Sequence, residues 1–101
     1  MRLLKAGLRL KSSVCDTQVM IIKGIAGDHD LNCGGSEMIA MTDPATGQLD
    51  PAKADGSLLG KRYVNADESL EILCVKEGKG SLDLDGVALG PKQAKALPSS
   101  D

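Results

Sequence analysis

Aromatic side chains are almost missing from this chain. Tyr63 is the sole one in 101 residues, with no Phe and no Trp. Stacking on single-stranded nucleic acid needs aromatic platforms, so that activity is disfavoured, and sugar binding by ring stacking with it. A dense basic face is missing too. Lys and Arg number 12 against 14 Asp and Glu, for a net charge of −2, and nothing here neutralises a phosphate backbone. The expectation is no nucleic-acid partner. No apolar run reaches the ~18 residues of a membrane span, and no secretory apolar region is visible. The expectation is no membrane association and a cytoplasmic, soluble protein. His29 is the one histidine, and three cysteines make an odd count, a poor disulfide framework.

What is present suits a small globular domain. A chain of this length can bury about 60–65% of its unfolded surface. The hydrophobic fraction of 42% supplies the core from Leu, Ile, Val, Ala and Met. The basic start, Arg2, Lys5, Arg9 and Lys11, could serve a targeting peptide. The period-2 alternation of Leu8-Arg9-Leu10-Lys11 favours a solvated first strand instead. Val19-Met20-Ile21-Ile22-Lys23 reads as a strand. Gly24 to Asp30 has turn composition. Leu31-Asn32-Cys33 reads as a return strand, and Met38 to Met41 as a further apolar run. Residues 42–56 are rich in Pro, Asp and Gly and read as a linker, with a helical turn predicted where Asp50 precedes Pro51. Leu58 to Val64 reads as extended. Leu70 to Val75 gives the strongest strand signal. Gly78-Lys79-Gly80 is expected to turn that strand into a hairpin with Ser81 to Asp85, and Asp85-Gly86 is a favoured turn pair. The tail, 93–101, is expected to be loosely held.

The halves 8–41 and 57–92 resemble each other. A shift of 51 sets Leu8 on Leu59, Asp16 on Asp67, Gly27 on Gly78, Leu31 on Leu82 and Gly35 on Gly86. Apolar positions agree as well, with Val19 on Leu70 and Ile21 on Ile72. One hairpin unit cannot bury its own apolar face, whereas two packed together can. The expected fold is therefore all-β: a small antiparallel, hairpin-based single domain over 1–101, built from two pseudo-repeated units.

Ser12-Ser13-Val14-Cys15, followed by Asn32-Cys33-Gly34-Gly35-Ser36-Glu37-Met38, resembles the desulforedoxin-like domain, the small unit also found at the front of desulfoferrodoxins. The family pattern is Cys-x-x-Cys, a strand and glycine-rich turn, then Cys-Cys-Gly-x-x-Met. The resemblance spans about residues 10–41. It implies a small rubredoxin-like β unit that holds iron through four thiolates, handles electrons and often dimerises. Cys15 matches the second family cysteine and Cys33 the fourth. Ser12 and Asn32 stand at the first and third, and one extra residue separates Gly34 from Met38. Ser and Asn are poor ligands for a soft ion. The leading expectation is thus a non-enzymatic accessory or interaction module with a degenerate metal site and no cofactor, acting through a protein partner or a homodimer. The alternative is a zinc- or iron-binding redox protein whose site is rebuilt from Cys15, Cys33, His29 and Cys74. A Cys15–Cys33 disulfide is a further possibility that the family geometry implies. A Cys33–His29 nucleophile pair lacks an orienting third group. Asp28-His29-Asp30 reads as turn residues, and Asp83 and Asp85 as one solvent face. A small-molecule hydrolase or isomerase is disfavoured by the scarcity of histidine.

Overall fold

A computed structural model describes residues 2–45 and 47–92. The expected looseness of 93–101 lies outside them. The fold is all-β, as the alternating patterns require. Twelve short strands occur among the described residues: β1 (Arg2–Leu4), β2 (Arg9–Lys11), β3 (Gln18–Lys23), β4 (Ile25–His29), β5 (Leu31–Cys33), β6 (Ser36–Glu37), β7 (Ile39–Ala40), β8 (Arg62–Val64), β9 (Glu71–Lys76), β10 (Leu82–Leu84), β11 (Val87–Ala88) and β12 (Gly90–Pro91). The predicted helical turn forms as a 3-10 turn over Pro51–Lys53. Asp50 caps it by accepting a hydrogen bond from Ala52 N at 2.9 Å.

All pairings are antiparallel. They make a six-stranded sheet in the order β12-β8-β9-β3-β2-β7, a four-stranded sheet β11-β10-β5-β6, and the pair β1-β4. Both larger sheets read alike from either edge once β2, β3, β5, β6 and β7 are matched to β8, β9, β10, β11 and β12. Registers agree too. Leu10 faces Val19 in one half, and Tyr63 faces Ile72 in the other. Cys33 faces Ser36, and Leu84 faces Val87. The turns match as well: Gly34 and Gly35 have φ of 67° and 89°, Asp85 and Gly86 of 52° and 86°. This is the left-handed pair that a tight two-residue hairpin needs.

Matching the strands shows where a uniform shift of 51 fails. Arg9–Lys11 corresponds to Arg62–Val64 and Gln18–Lys23 to Glu71–Lys76, an offset of 53. From Leu31–Cys33 against Leu82–Leu84 onward the offset is 51. The bridge Leu4↔Ile25 has its counterpart in Ser57↔Gly78. The change of offset therefore falls between Gly78 and Leu82. The short turn there replaces most of β4. A displacement of two leaves every side chain on its own face of a strand, which is why the apolar pattern matched anyway.

Three expectations about single segments change as well. Ile25–His29 is a strand, paired to β1, although its composition reads as a turn. β9 and β10 are not a hairpin: β9 lies in the larger sheet between β8 and β3, and β10 in the smaller one between β11 and β5. The glycines at 78 and 80 turn a corner between sheets. Leu58 to Lys61 forms a turn, so only Arg62–Val64 of that stretch is strand. The core draws side chains from both larger sheets and from β1. It is aliphatic: Leu10, Val19, Ile21, Leu31, Met38, Leu70, Ile72, Leu82 and Leu84 are buried, with Cys33 among them. Each such side chain contributes about 1.5–3 kcal/mol on burial.

Candidate functional site

Ser12 to Thr17 form the bend between β2 and β3. Its hydrogen bonds are set by one hydroxyl. Ser12 Oγ accepts from the backbone N–H of both Val14 and Cys15, each at 3.1 Å, while Ser12 N donates to Thr17 O at 2.8 Å. This closes the bend and brings Cys15 against the end of β5. Cys15 Sγ stands 3.8 Å from Cys33 Sγ. All three cysteines are free.

The other half completes the site. Gly80 N donates to Cys15 Sγ at 3.3 Å, and the Cys15 thiol donates to Thr17 Oγ1 at 3.3 Å. Thr17 Oγ1 donates to Ser57 Oγ, which donates to Gly80 O at 2.5 Å. Glycine is required here for close approach, since neither Gly78 nor Gly80 has a positive φ. A Cβ on Gly80 would stand 2.8 Å from Cys33 Sγ and from Gly34 N. A Cβ on Gly78 would strike Thr17 Oγ1 and stand 2.5 Å from Thr17 N.

The two thiols differ in character. Burial pushes the Cys15 thiol up, but hydrogen bonds with Ser12, Thr17 and the Gly80 N–H outweigh it, and the value falls from 9.0 to about 7. Hydrogen bonding to a charged form favours that form. Cys33 is fully buried. Its desolvation, and the neighbouring Cys15 charge, push it up to about 12.

The remaining sequence candidates hydrogen-bond to neither thiol, although Cys74 is near enough to feel the Cys15 charge. His29, on β4, bonds Asp85 Oδ2 through Nδ1 at 2.7 Å and Ala26 O through Nε2 at 3.0 Å. The Asp85 hydrogen bond raises its pKa. Cys74, on β9, donates to Lys76 O at 3.1 Å. Among the described residues, no three His, Cys, Asp or Glu side chains gather as a metal-holding group. Asp83 and Asp85 do not share a solvent face. Asp83 is buried and accepts from Asn32 Nδ2 at 2.6 Å, whereas Asp85 is exposed. Asn32 and Asp83 face each other across β5 and β10, so each meets its own counterpart.

The site's counterpart in the second half is an open hollow of about 390 Å³ lined by Asn65, Ala66, Asp67, Leu84, Asp85, Val87 and Ala88. These residues correspond to Ser12, Ser13, Val14, Cys33, Gly34, Ser36 and Glu37. In the first half the same place is covered by the linker. Gly47 N donates to Ser13 O and Asp50 N to Gly34 O, both at 3.0 Å, and Leu49 lies against Gly34.

The sequence reading missed Thr17, Ser57, Gly78 and Gly80 as parts of the site. The glycine pair was visible, but a turn glycine and a close-approach glycine look alike in sequence. No helix among the described residues is long and apolar enough to cross a membrane. Compared with protein-family models, with curated proteins and with solved structures, the chain matches none.

Proposed function

We propose that this chain is a non-enzymatic interaction module on a degenerate metal-binding scaffold, descended from a doubled desulforedoxin-like unit. One observation carries the reading. The two residues standing where that family has its first and third thiols are both committed to other bonds. Ser12 Oγ holds the N–H groups of Val14 and Cys15, and Asn32 holds Asp83. Two sulfurs are left where a closed site takes four strong ligands. The matched strand registers support the doubled ancestry. The open hollow gives the module a place for a partner's extended segment, since the equivalent place takes residues 47–50 through two backbone hydrogen bonds.

Elemental analysis of protein purified without chelator tests this. Well below one metal per chain is the expected result. Stoichiometric zinc or iron that survives dialysis would overturn it.

A second reading is favoured by one distance. Two thiolates bound about 2.3 Å from one tetrahedral ion stand about 3.8 Å apart, and the Cys15–Cys33 separation is 3.8 Å. A zinc or iron protein completed by other ligands follows from that. Under it, Cys15→Ser abolishes metal binding, and Cys74→Ser does so only if the site spans both halves.

A further inference from the structure

We infer that Cys15 and Cys33 are a peroxide-reactive dithiol, in which Cys15 is oxidised first and Cys33 resolves it to an intramolecular disulfide. The inference rests on the reading above, in which no resident metal occupies the two sulfurs.

Position separates the roles. Cys15 is partly exposed in a bend, so an oxidant can reach it. Cys33 has no exposed surface and is fixed on β5 between β6 and β10. Among the described residues, the one sulfur within hydrogen-bond range of it is that of Cys15, at 3.8 Å. A disulfide needs about 2.05 Å between sulfurs, so the pair must close by under 2 Å. The bend can supply this movement, because Cys15 belongs to no strand. Cys74 takes no part: its thiol is buried and bonded to Lys76 O on its own strand. The second half holds no such pair, with Glu68 and Leu84 at the corresponding positions.

The chemistry balances with a hydroperoxide as oxidant. The Cys15 thiolate attacks the peroxide, an S–O bond forms, and the O–O bond breaks. The leaving alkoxide or hydroxide takes a proton from solvent. Cys15 is now a sulfenic acid. Cys33 sulfur then attacks Cys15 sulfur, the S–O bond breaks, and the oxygen leaves as water with the Cys33 proton. Two thiols lose two electrons and the peroxide gains two. A small dithiol reverses the result by exchange. Closing the pair pulls on the bend whose Ser13 O holds Gly47 N, so the thiol state is felt at the linker's seat.

The test uses the full chain, with metal content measured on the same sample. After stoichiometric hydrogen peroxide, the thiol count under denaturing conditions should fall from three to one. Intact mass should drop by two hydrogens, and peptide mapping should join Cys15 to Cys33. Cys74→Ala should form the same link, its thiols falling from two to none. Cys33→Ala should stop at a Cys15 sulfenic acid that dimedone traps, and Cys15→Ala should lose no thiol. A metal-free chain that keeps its three thiols, or loses them to Cys74 or to intermolecular links, overturns the dithiol alone. An ion at one per chain that shields both thiols overturns the dithiol and the metal-free reading together.

Discussion

The Cys15 site and the hollow at Asn65 occupy matching places in two halves with the same strand order and register, yet one is filled and the other open. The first is covered by Gly47–Asp50 and clamped by Gly80 from the opposite half. In the second, Asp30 does what Ser81 does in the first: Asp30 O accepts from Asp85 N, as Ser81 O accepts from Gly34 N. Its chain there is two residues longer, and it carries His29 onto Asp85 rather than a glycine onto a thiol. Main-chain pairing is insensitive to most side-chain changes, so the frame stays matched. The connections and side chains then make a thiol site in one half and an apolar hollow in the other.

The halves differ most in their tolerance of a side chain at Gly78. Its counterpart is Ile25, which has room for a side chain, whereas a Cβ at 78 meets Thr17. Gly78→Ala should cost about 3 kcal/mol, the upper range for overpacking, read from urea denaturation. Gly90→Ala, with nothing near its Cβ, should stay within about 0.5 kcal/mol. Equal stability of the two variants would show that the turn does not clamp the site.

Where the halves meet, Asn32→Ala should cost about 2 kcal/mol, because buried Asp83 loses its amide donor. Thermal denaturation of Asn32→Ala beside Asp83→Ala checks this: the two should be comparably destabilised if the pair acts as one unit.

Filled and open hollows can be compared directly. Leu49→Ala should destabilise by about 1 kcal/mol through lost apolar contact. Val87→Ala should change little, as Val87 is 66% exposed. A larger loss at Val87 would mean that the hollow is not open in solution.

The thiols give a pH signature. The Cys15 value is lowered from 9.0 to about 7, so alkylation of Cys15 should rise with pH about a midpoint near 7. Its contribution to stability is fully present above pH 9 and is lost as pH falls through 7. Cys33 acts oppositely: pushed up to about 12, it costs stability as pH rises beyond 9. Ser12→Ala should move the alkylation midpoint upward and cost about 1 kcal/mol. An unmoved midpoint would remove Ser12 from the account of that thiol.

The smallest effect belongs to His29. Its pKa is raised by the Asp85 hydrogen bond, so its contribution is present at acid pH and lost as pH rises through the raised value. His29→Gln should melt like the parent at pH 8 and slightly below it at pH 5.

Much of the frame was legible from alternation. The β3, β5, β9 and β10 runs, the Asp85-Gly86 turn and the Asp50-Pro51 cap all follow from local chemistry. Strand partners did not follow, because a period of two names a face and no neighbour. That is how β9 and β10 read as a hairpin, and why a shift of 51 fitted strands that lie 53 apart. Cys15 and Cys33 were legible as a pair only through a resemblance, and nothing local distinguished them from His29 or Cys74.

The scarcity of aromatics and the alternating apolar runs were enough to dictate an aliphatic all-β protein, and the odd cysteine count to argue against a disulfide framework. It is the packing of one half on the other that brings Gly80 and Ser57 to the thiol site of Ser12, Cys15 and Cys33, and that turns Asn32 to Asp83. These contacts cross from one half to the other. They depend on a two-residue difference in connection length, which displaces whole segments while leaving the hydrophobic pattern unchanged.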